Sequence, residues 1–359
     1  MTAETERHDP QLQQPIRLAS PADLVGAVPY LVGFTPRHSL VTISLRHPRL
    51  RCSLVARVDL PRCSEDVEQV VEELVEHLLA DDPEEVAVLI YDDVPWHPKD
   101  RPWQDLVDVL ELELAVAGVG VREACFIGSD GFWSYSCWEP DCCPDEGTPL
   151  AEASCAPAAA ALVALGRAPV GDREDLRAQV AAGDRDLTGV ISQLADRQWD
   201  ELVGGDPDDG EARVVRLFAD LVARRTDHAS AAVPVTAAEA ALLVAGLADT
   251  VIRDSVAMRW VSWLSDRHVE PAHRSPLGMP GLPPTHDAVT SLLGELARIS
   301  DGTWAVSPLT LFALQCWHAG DGALANLAIE RALRLDAGYR MALLVDGVLR
   351  AGISPRGRR

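Results

Sequence analysis

Apolar positions in the first half of the chain alternate between helical and strand spacing. Residues 21–32 carry apolar side chains at helical intervals, and Ser20 and Pro21 suit the cap and first position of that helix. Residues 67–79 follow the i, i+3, i+4, i+7 pattern of an amphipathic helix, and residues 106–114 repeat it. Three helices are therefore predicted.

The segments between these helices have the pattern of strands. Residues 40–45 and 52–58 predict two strands, with Pro48 in the turn between them. Residues 86–91 form a continuous apolar run, which is typical of a strand buried on both faces, and residues 121–127 predict a fourth strand. The order α-β-β-α-β-α-β predicts an α/β fold with a mostly parallel, helix-covered sheet.

After about residue 150 the pattern becomes helical, without a convincing strand. Helices are predicted over residues 151–165, 172–182, 187–202, 211–225, 237–265, 286–299, 307–318, 322–334 and 339–350. Thr236 and Glu239 predict a capping box. Residues 309–335 predict a helical hairpin that resembles one tetratricopeptide repeat.

These patterns predict a chain with a flexible tail and two domains. The tail is residues 1–16, an α/β domain covers 17–150, and an all-α region of helical hairpins covers 151–359. Loops are expected within the helical region near 204–210 and 268–284. The length of 359 residues independently favours two domains, because one core rarely grows that large.

Charge narrows the classes of partner. The chain has 55 acidic and 32 basic residues, a formal net charge of −23. This excess argues against nucleic acids and anionic membrane surfaces, which attract basic proteins; solubility alone also accounts for it. No apolar run reaches the roughly 18 residues of a membrane span, and the polar start of the chain lacks the pattern of a signal peptide. We therefore expect a cytoplasmic protein with reduced thiols.

A segment rich in cysteine and aromatic residues, 132–144, is the first candidate for chemistry. Cys137, Cys142 and Cys143 have C-x4-C-C spacing, and Cys155 is the nearest further thiol that would complete a tetrahedral zinc site. A reversible disulfide between the first two of these cysteines and a nucleophilic thiol are alternatives. A loop that is only packed by its thiols and aromatic rings is a further one.

Acidic residues at the ends of the predicted strands form the second candidate. The carboxyl ends of strands in an open α/β sheet are where ligands bind. The candidate ligand-binding residues at that edge and in the adjoining loop are Asp59, Asp92, Asp93, Asp130, Trp133 and Tyr135. Converging carboxylates are typical ligands of Mg²⁺. Alternatively, one of them could act as a general base. Alternatively, the aspartates only form local hydrogen bonds at turns.

Two functional classes remain open. The common phosphate-binding glycine motifs and the G-x-S-x-G elbow are absent from the sequence. One class is a ligand-binding domain or small-molecule enzyme, for which we expect a concave pocket that holds Asp59, Asp92 and Tyr135 together. The other is an interaction or regulatory protein that presents its C-terminal helices to a protein partner, with a structural cysteine loop.

A combination of segments also points to a family. These are Ser20-Pro21-Ala22-Asp23-Leu24-Val25, Val28-Pro29-Tyr30-Leu31-Val32-Gly33-Phe34, Ser39-Leu40-Val41, Arg57-Val58-Asp59-Leu60-Pro61, Trp133-Ser134-Tyr135, Cys142-Cys143-Pro144, Gly147-Thr148-Pro149-Leu150 and Gly320-Asp321-Gly322-Ala323-Leu324-Ala325. Together they resemble domain-of-unknown-function family 4192, which is found mainly in actinobacteria. The chain departs from the family at Thr35, where histidine is frequent. The resemblance implies no particular activity, substrate or cofactor.

Overall fold

The chain folds into two compact units, of which the first is built mainly from residues up to Arg173 and the second from residues after it. The computed structural model describes residues 16–46, 51–63, 66–137, 139, 143–227, 234–261, 285–353 and 355. The predicted tail and the predicted loop at 268–284 lie outside these residues, apart from Ile16. The domain boundary that we place at residue 150 stays a prediction.

The first unit is an α/β unit. Its elements are α1 (Pro21–Val32), β1 (Ser39–Arg46), β2 (Arg51–Asp59), α2 (Val67–Ala80), β3 (Glu85–Tyr91), α3 (Gln104–Val116), β4 (Gly120–Ile127), β5 (Gly131–Ser134), β6 (Thr148–Pro149), α4 (Leu150–Ser154) and α5 (Pro157–Ala164). The three helices and four strands predicted up to residue 127 are thus confirmed, and β5 and β6 are additional.

The six strands form one mixed sheet in the order β2-β1-β3-β4-β5-β6. Only β3 and β4 pair in parallel among the described strands, so the prediction of a mostly parallel sheet is wrong. The reason is that β1 lies between β2 and β3 and runs antiparallel to both. The crossover through α2 therefore leads from β2 past β1, and the two parallel strands that it joins are not neighbours.

The sheet buries a helix-covered core on one face. There α2 contributes Leu74 and Leu78, and α3 contributes Leu106 and Leu110. The strand residues that pack against them include Leu40, Val88, Ile90 and Phe126. Since successive strand residues point to opposite faces, their neighbours Tyr91 and Ile127 belong to the other face.

Helix α1 is held at its start by one buried carboxylate. Asp23 forms a capping box with Ser20, and its Oδ1 accepts the backbone N–H of Ala158 in α5 at 3.1 Å. One side chain thus satisfies donors at the starts of two helices. Farther along α1, a Cβ on Gly26 would lie 2.1 Å from the carbonyl oxygen of Ala153 in α4. Glycine at this position therefore permits the close approach of α1 and α4.

The second unit is helical. Its elements are α6 (Arg173–Ala178), which begins at the junction, then α7 (Arg185–Gly204), α8 (Pro207–Asp227), α9 (Ala237–Ala248), α10 (Thr250–Trp260), α11 (His286–Ile299), α12 (Thr303–His318), α13 (Gly322–Leu335) and α14 (Arg340–Arg350). The predicted capping box of Thr236 and Glu239 starts α9. None of the described helices combines the length and apolarity needed to cross a lipid bilayer.

The loop expected near 204–210 narrows to residues 205–206, because α8 begins at Pro207.

Two further details of the helical prediction are corrected. The single helix predicted over 237–265 is broken at Asp249, whose carboxylate accepts the backbone N–H groups of Val251 and Ile252 and caps α10. The hairpin of α12 and α13 forms as predicted, but the tetratricopeptide-like description does not fit. Helix α12 is buried along most of its length against α9, α11, α13 and α14, whereas a repeat contacts only its sequence neighbours.

Buried polar groups of the second unit are held by specific partners. The Arg331 guanidinium donates to the carbonyl oxygens of Val180 and Ala297 at 2.7 Å and of Ser300 at 3.1 Å. These bonds join the chain after α6 to the C-terminal end of α11, where free carbonyls attract a cation. His286, in the first turn of α11, is 3 % exposed. Its ring centroid lies 6.4 Å from that of His318.

The stability of the second unit should fall in mild acid. Burial lowers the pKa of His286 from 6.5 to about 4, against an opposing effect of Asp287 and with a further lowering by His318. As the pH falls, the unfolded chain therefore binds a proton at His286 at a higher pH than the folded chain does. Stability should be intact above pH 6.5 and lost as the pH falls towards 4, by at most about 1.4 kcal/mol per pH unit.

Denaturant unfolding of the whole chain at several pH values measures how steeply the free energy of unfolding falls with pH. The variant His286→Gln should flatten it, and the matched variant His97→Gln, at an exposed histidine of the first unit, should leave it unchanged. An equal slope in wild type and His286→Gln would show that this histidine does not carry the effect.

Candidate functional site

The carboxyl ends of three strands meet at one edge of the sheet. In the register of the sheet, Ser39 at the start of β1 lies between Asp59 of β2 and Tyr91 of β3, and Tyr91 lies beside Ile127 of β4. Asp92 follows β3 directly, and its backbone N–H donates to the Ile127 carbonyl at 3.1 Å. The edge where we predict ligand binding therefore exists as a structural feature.

A cavity of about 400 Å³ opens at this edge, beside the parallel pair β3 and β4. Its walls come from α1, the segment after α1, the ends of the two strands, and α4. The volume lies within the range of small-molecule sites, roughly 300–1,000 Å³. Asp92 and Asp93 line the cavity, and they are the two predicted site residues that it brings together.

The Asp92 carboxylate is buried and fully engaged. Its Oδ1 lies 2.6 Å from Nδ1 of His38 and also accepts the backbone N–H of Asp93 at 2.9 Å. Its Oδ2 accepts the indole N–H of Trp103 at 2.8 Å. Only 3 % of the Asp92 side chain is exposed, whereas 69 % of the His38 side chain is exposed. A buried carboxylate is thus linked to a histidine that solvent reaches.

Both side chains that bind Asp92 come from residues in the left-handed backbone region. His38 has φ of 43° and Trp103 has φ of 61°. This region disfavours residues with a Cβ, and such strain is concentrated at sites where geometry matters for function. Asp82 is the other described non-glycine residue with positive φ. Two strained residues therefore converge on one carboxylate beside the cavity.

Tyr91 adds a buried polar group to the cavity wall. The residue is 6 % exposed, and among the described residues its hydroxyl has no hydrogen-bond partner. Burial, with a smaller contribution from Cys125, raises the pKa of the Tyr91 phenol, so the hydroxyl keeps its proton. An unpaired buried hydroxyl costs about 1–3 kcal/mol of stability.

Two predicted acidic residues lie outside the cavity. Asp59 is at the same edge, but its side chain is largely exposed and forms an ion pair of 2.6 Å with Arg57. Asp130 is exposed in the turn between β4 and β5. Of Asp59, Asp92 and Tyr135, which we expect to share a pocket, only Asp92 lines this cavity.

The aromatic residues of the cysteine-rich segment pack on the helix-covered face. Trp133 stacks on Trp96 at 5.6 Å between ring centroids, and Tyr135 meets Trp96 edge-on at 5.5 Å. The Tyr135 hydroxyl donates to the Pro102 carbonyl at 2.6 Å. Burial is the largest influence that raises the pKa of Tyr135, so it stays a neutral phenol. Trp133 and Tyr135 thus occupy a packed aromatic cluster with Phe126.

The predicted thiol site is described only in part. Cys137 and Cys143 are half-buried, Cys155 is exposed at the end of α4, and Cys142 lies outside the described residues. Among the residues that the structure describes, no three His, Cys, Asp or Glu side chains converge to hold a metal ion. The zinc site and the disulfide, which both involve Cys142, stay predictions, as does Mg²⁺ at the carboxylates.

His38 and Trp103 are the residues that the sequence analysis missed. His38 precedes β1, and it meets Asp92 only because β1 pairs antiparallel with β3. Trp103 stands at the position before α3, where a side-chain cap is more usual. The Ser129-Asp130-Gly131 turn is a local signal for another missed feature, the β4–β5 hairpin, in a segment where we predict a loop.

Removal of the indole N–H from Trp103 should cost more stability than removal of one elsewhere. Trp103→Phe deletes a hydrogen bond to a buried carboxylate. We expect it to lower the free energy of unfolding by about 1.5–3 kcal/mol. Trp133→Phe is the matched control, because its indole N–H donates at 3.0 Å to a neutral carbonyl, of Asp145, and about 0.5–1.5 kcal/mol is expected. Urea unfolding measures both, and equal losses would contradict the assigned role of Asp92.

The comparisons with known proteins agree with the resemblance found in the sequence. The family model described as Domain of unknown function (DUF4192) matches residues 21–356. No curated protein and no solved structure matches the chain. Because the match extends from α1 to beyond α14, it covers nearly the whole chain. The chain belongs to the DUF4192 family.

Proposed function

We propose that the chain binds a small molecule in the cavity beside β3 and β4 and acts on it through the acid–base pair of His38 and Asp92. The observation that carries this proposal is the buried carboxylate of Asp92, a residue that lines the cavity, held by two side chains from strained backbone positions. Burial of a carboxylate is costly, so its engagement by three donors beside a cavity supports a functional role.

His38 is not among the residues that line the cavity, but it follows Arg37, which does, and its bond to Asp92 suits proton transfer. Its Nδ1 is committed to Asp92, which favours the tautomer with the proton on that nitrogen. The other ring nitrogen, Nε2, then carries a lone pair and is able to accept a proton from a substrate or water. Asp92 orients the ring and stabilises the imidazolium that forms, as the carboxylate does in other Asp–His pairs.

Trp103 serves as a positioning residue in this proposal. Its indole N–H occupies Oδ2 of Asp92, and this leaves Oδ1 for His38. The carboxylate is therefore fixed from both sides. A fixed partner restricts the orientation of the imidazole, and restricted orientation is what makes a general base efficient.

A surface on the helical unit is a second candidate function. Leu187 and Val190 on α7 are exposed and are spaced three residues apart, so they lie on one side of the helix. Leu343 and Leu344 on α14 are exposed as well. Such side chains suit contact with a protein partner. We rank this candidate second, because single exposed apolar residues are common on monomeric proteins.

Ligand binding should depend on the Asp92 carboxylate. A defined mixture of metabolites, screened by saturation-transfer NMR, should contain a compound that binds wild type and binds Asp92→Asn at least about tenfold more weakly, because the amide cannot accept from both neighbours. Asp130→Asn is the matched control, since Asp130 is exposed and does not line the cavity.

A second variant keeps the test decisive if Asp92→Asn fails to fold. His38→Asn removes the imidazole, and asparagine tolerates the left-handed backbone at this exposed position. It should bind the same compound and fail to convert it. The proposal is wrong if no compound binds, or if the compound that binds wild type binds folded Asp92→Asn equally well.

A further inference from the structure

One cationic and one anionic residue that line the cavity have no ion-pair partner among the described residues. Its charged lining residues are Arg37, Asp92 and Asp93. Asp92 is already engaged by His38 and Trp103. Within the part of the chain that the structure describes, neither the Arg37 guanidinium nor the Asp93 carboxylate forms an ion pair. The two charges line the same cavity, yet they do not neutralise each other.

Two further residues that line the cavity carry a polar group without its usual partner among the described residues. The buried Tyr91 hydroxyl has no partner among the described residues. Pro29 lies inside α1 and has no N–H, so the Val25 carbonyl lacks its helical donor. Tyr91, Pro29 and Val25 all line the cavity.

The remaining wall is partly apolar, and Thr35, Ser129 and Ser154 also line it. Val25 and Tyr30 from α1, Ile127 from β4 and Leu150 from α4 line the cavity. The close approach of α1 and α4, which Gly26 permits, brings two of these surfaces together. A ligand that fits this wall has an apolar part of the size of a side chain, together with polar groups at the rim.

Resting on the function proposed above, we propose that the ligand is a free α-amino acid with an apolar side chain. Its carboxylate would pair with Arg37, its ammonium group with Asp93, and its side chain would lie against the apolar wall. A ligand with both charges is able to pair with both Arg37 and Asp93. A purely anionic ligand would be repelled by Asp93, and a purely cationic ligand would be repelled by Arg37.

Isothermal titration calorimetry with L-leucine tests this inference on the full chain. L-leucine should bind, and leucinamide and N-acetyl-L-leucine, which each lack one of the two charges, should bind at least about tenfold more weakly. Glycine, which lacks the apolar part, should also bind more weakly. L-isoleucine, L-valine and L-phenylalanine extend the test to other apolar side chains.

Two variants assign the charges. Arg37→Gln should lose the preference for leucine over leucinamide, and Asp93→Asn should lose the preference for leucine over N-acetyl-L-leucine. Both residues are exposed, so both variants should fold. The inference is overturned if none of the four apolar amino acids binds, if either derivative binds as tightly as leucine, or if both variants bind leucine as wild type does.

Failure of this inference differs from failure of the proposed function. If the metabolite screen identifies an Asp92-dependent ligand that lacks one of the two charges, the cavity is functional and the amino-acid assignment is wrong. If no metabolite binds at all, both proposals fall together.

Discussion

The first unit is organised around the burial of one carboxylate. Asp92 lies at the carboxyl end of β3, and removal of its charge from water is tolerable only with donors on both oxygens. These donors come from different parts of the chain: His38 before β1, Trp103 before α3, and the backbone of Asp93. Both residues that donate through their side chains, His38 and Trp103, have an unfavourable left-handed backbone conformation.

The mixed sheet makes this arrangement possible. Because β1 runs antiparallel to β3, the start of β1 lies at the carboxyl end of β3, and His38 comes within hydrogen-bond distance of Asp92. In a fully parallel sheet the start of a neighbouring strand would lie at the opposite edge. The parallel pair of β3 and β4 meanwhile leaves room at its carboxyl end, which is where the cavity opens.

Local patterns predict much of the fold and part of the site. The helices and strands up to residue 127 follow from apolar periodicity, and Asp92 and Asp93 follow from their position after a buried strand. The direction of pairing between β1 and β3 leaves no local trace, so His38 could not be placed beside Asp92. The break at Asp249 was missed because apolar spacing continues across it, and only the capping carboxylate ends one helix and starts the next.

The cysteine-rich segment shows how composition misleads. Trp133 and Tyr135 suggested a ligand platform, but strand β5 directs them into a cluster with Trp96 on the face opposite Tyr91. Side chains along β5 alternate between the two faces of the sheet, and this alternation determines where Trp133 lies. It is not apparent when the segment is taken for a loop. The same strand leaves Ser134 on the other side, where its hydroxyl donates to Glu123 at 2.7 Å.

The tautomer of His38 is the most direct test of this account, and ¹⁵N NMR of the histidine side chains in the full chain measures it. If the ring is held by Asp92, the neutral imidazole should carry its proton on Nδ1, with Nε2 unprotonated, and Asp92→Asn should abolish that preference. A wild-type His38 with its proton on Nε2, or with the tautomer mixture of a free imidazole, would contradict the pairing on which the proposed function rests.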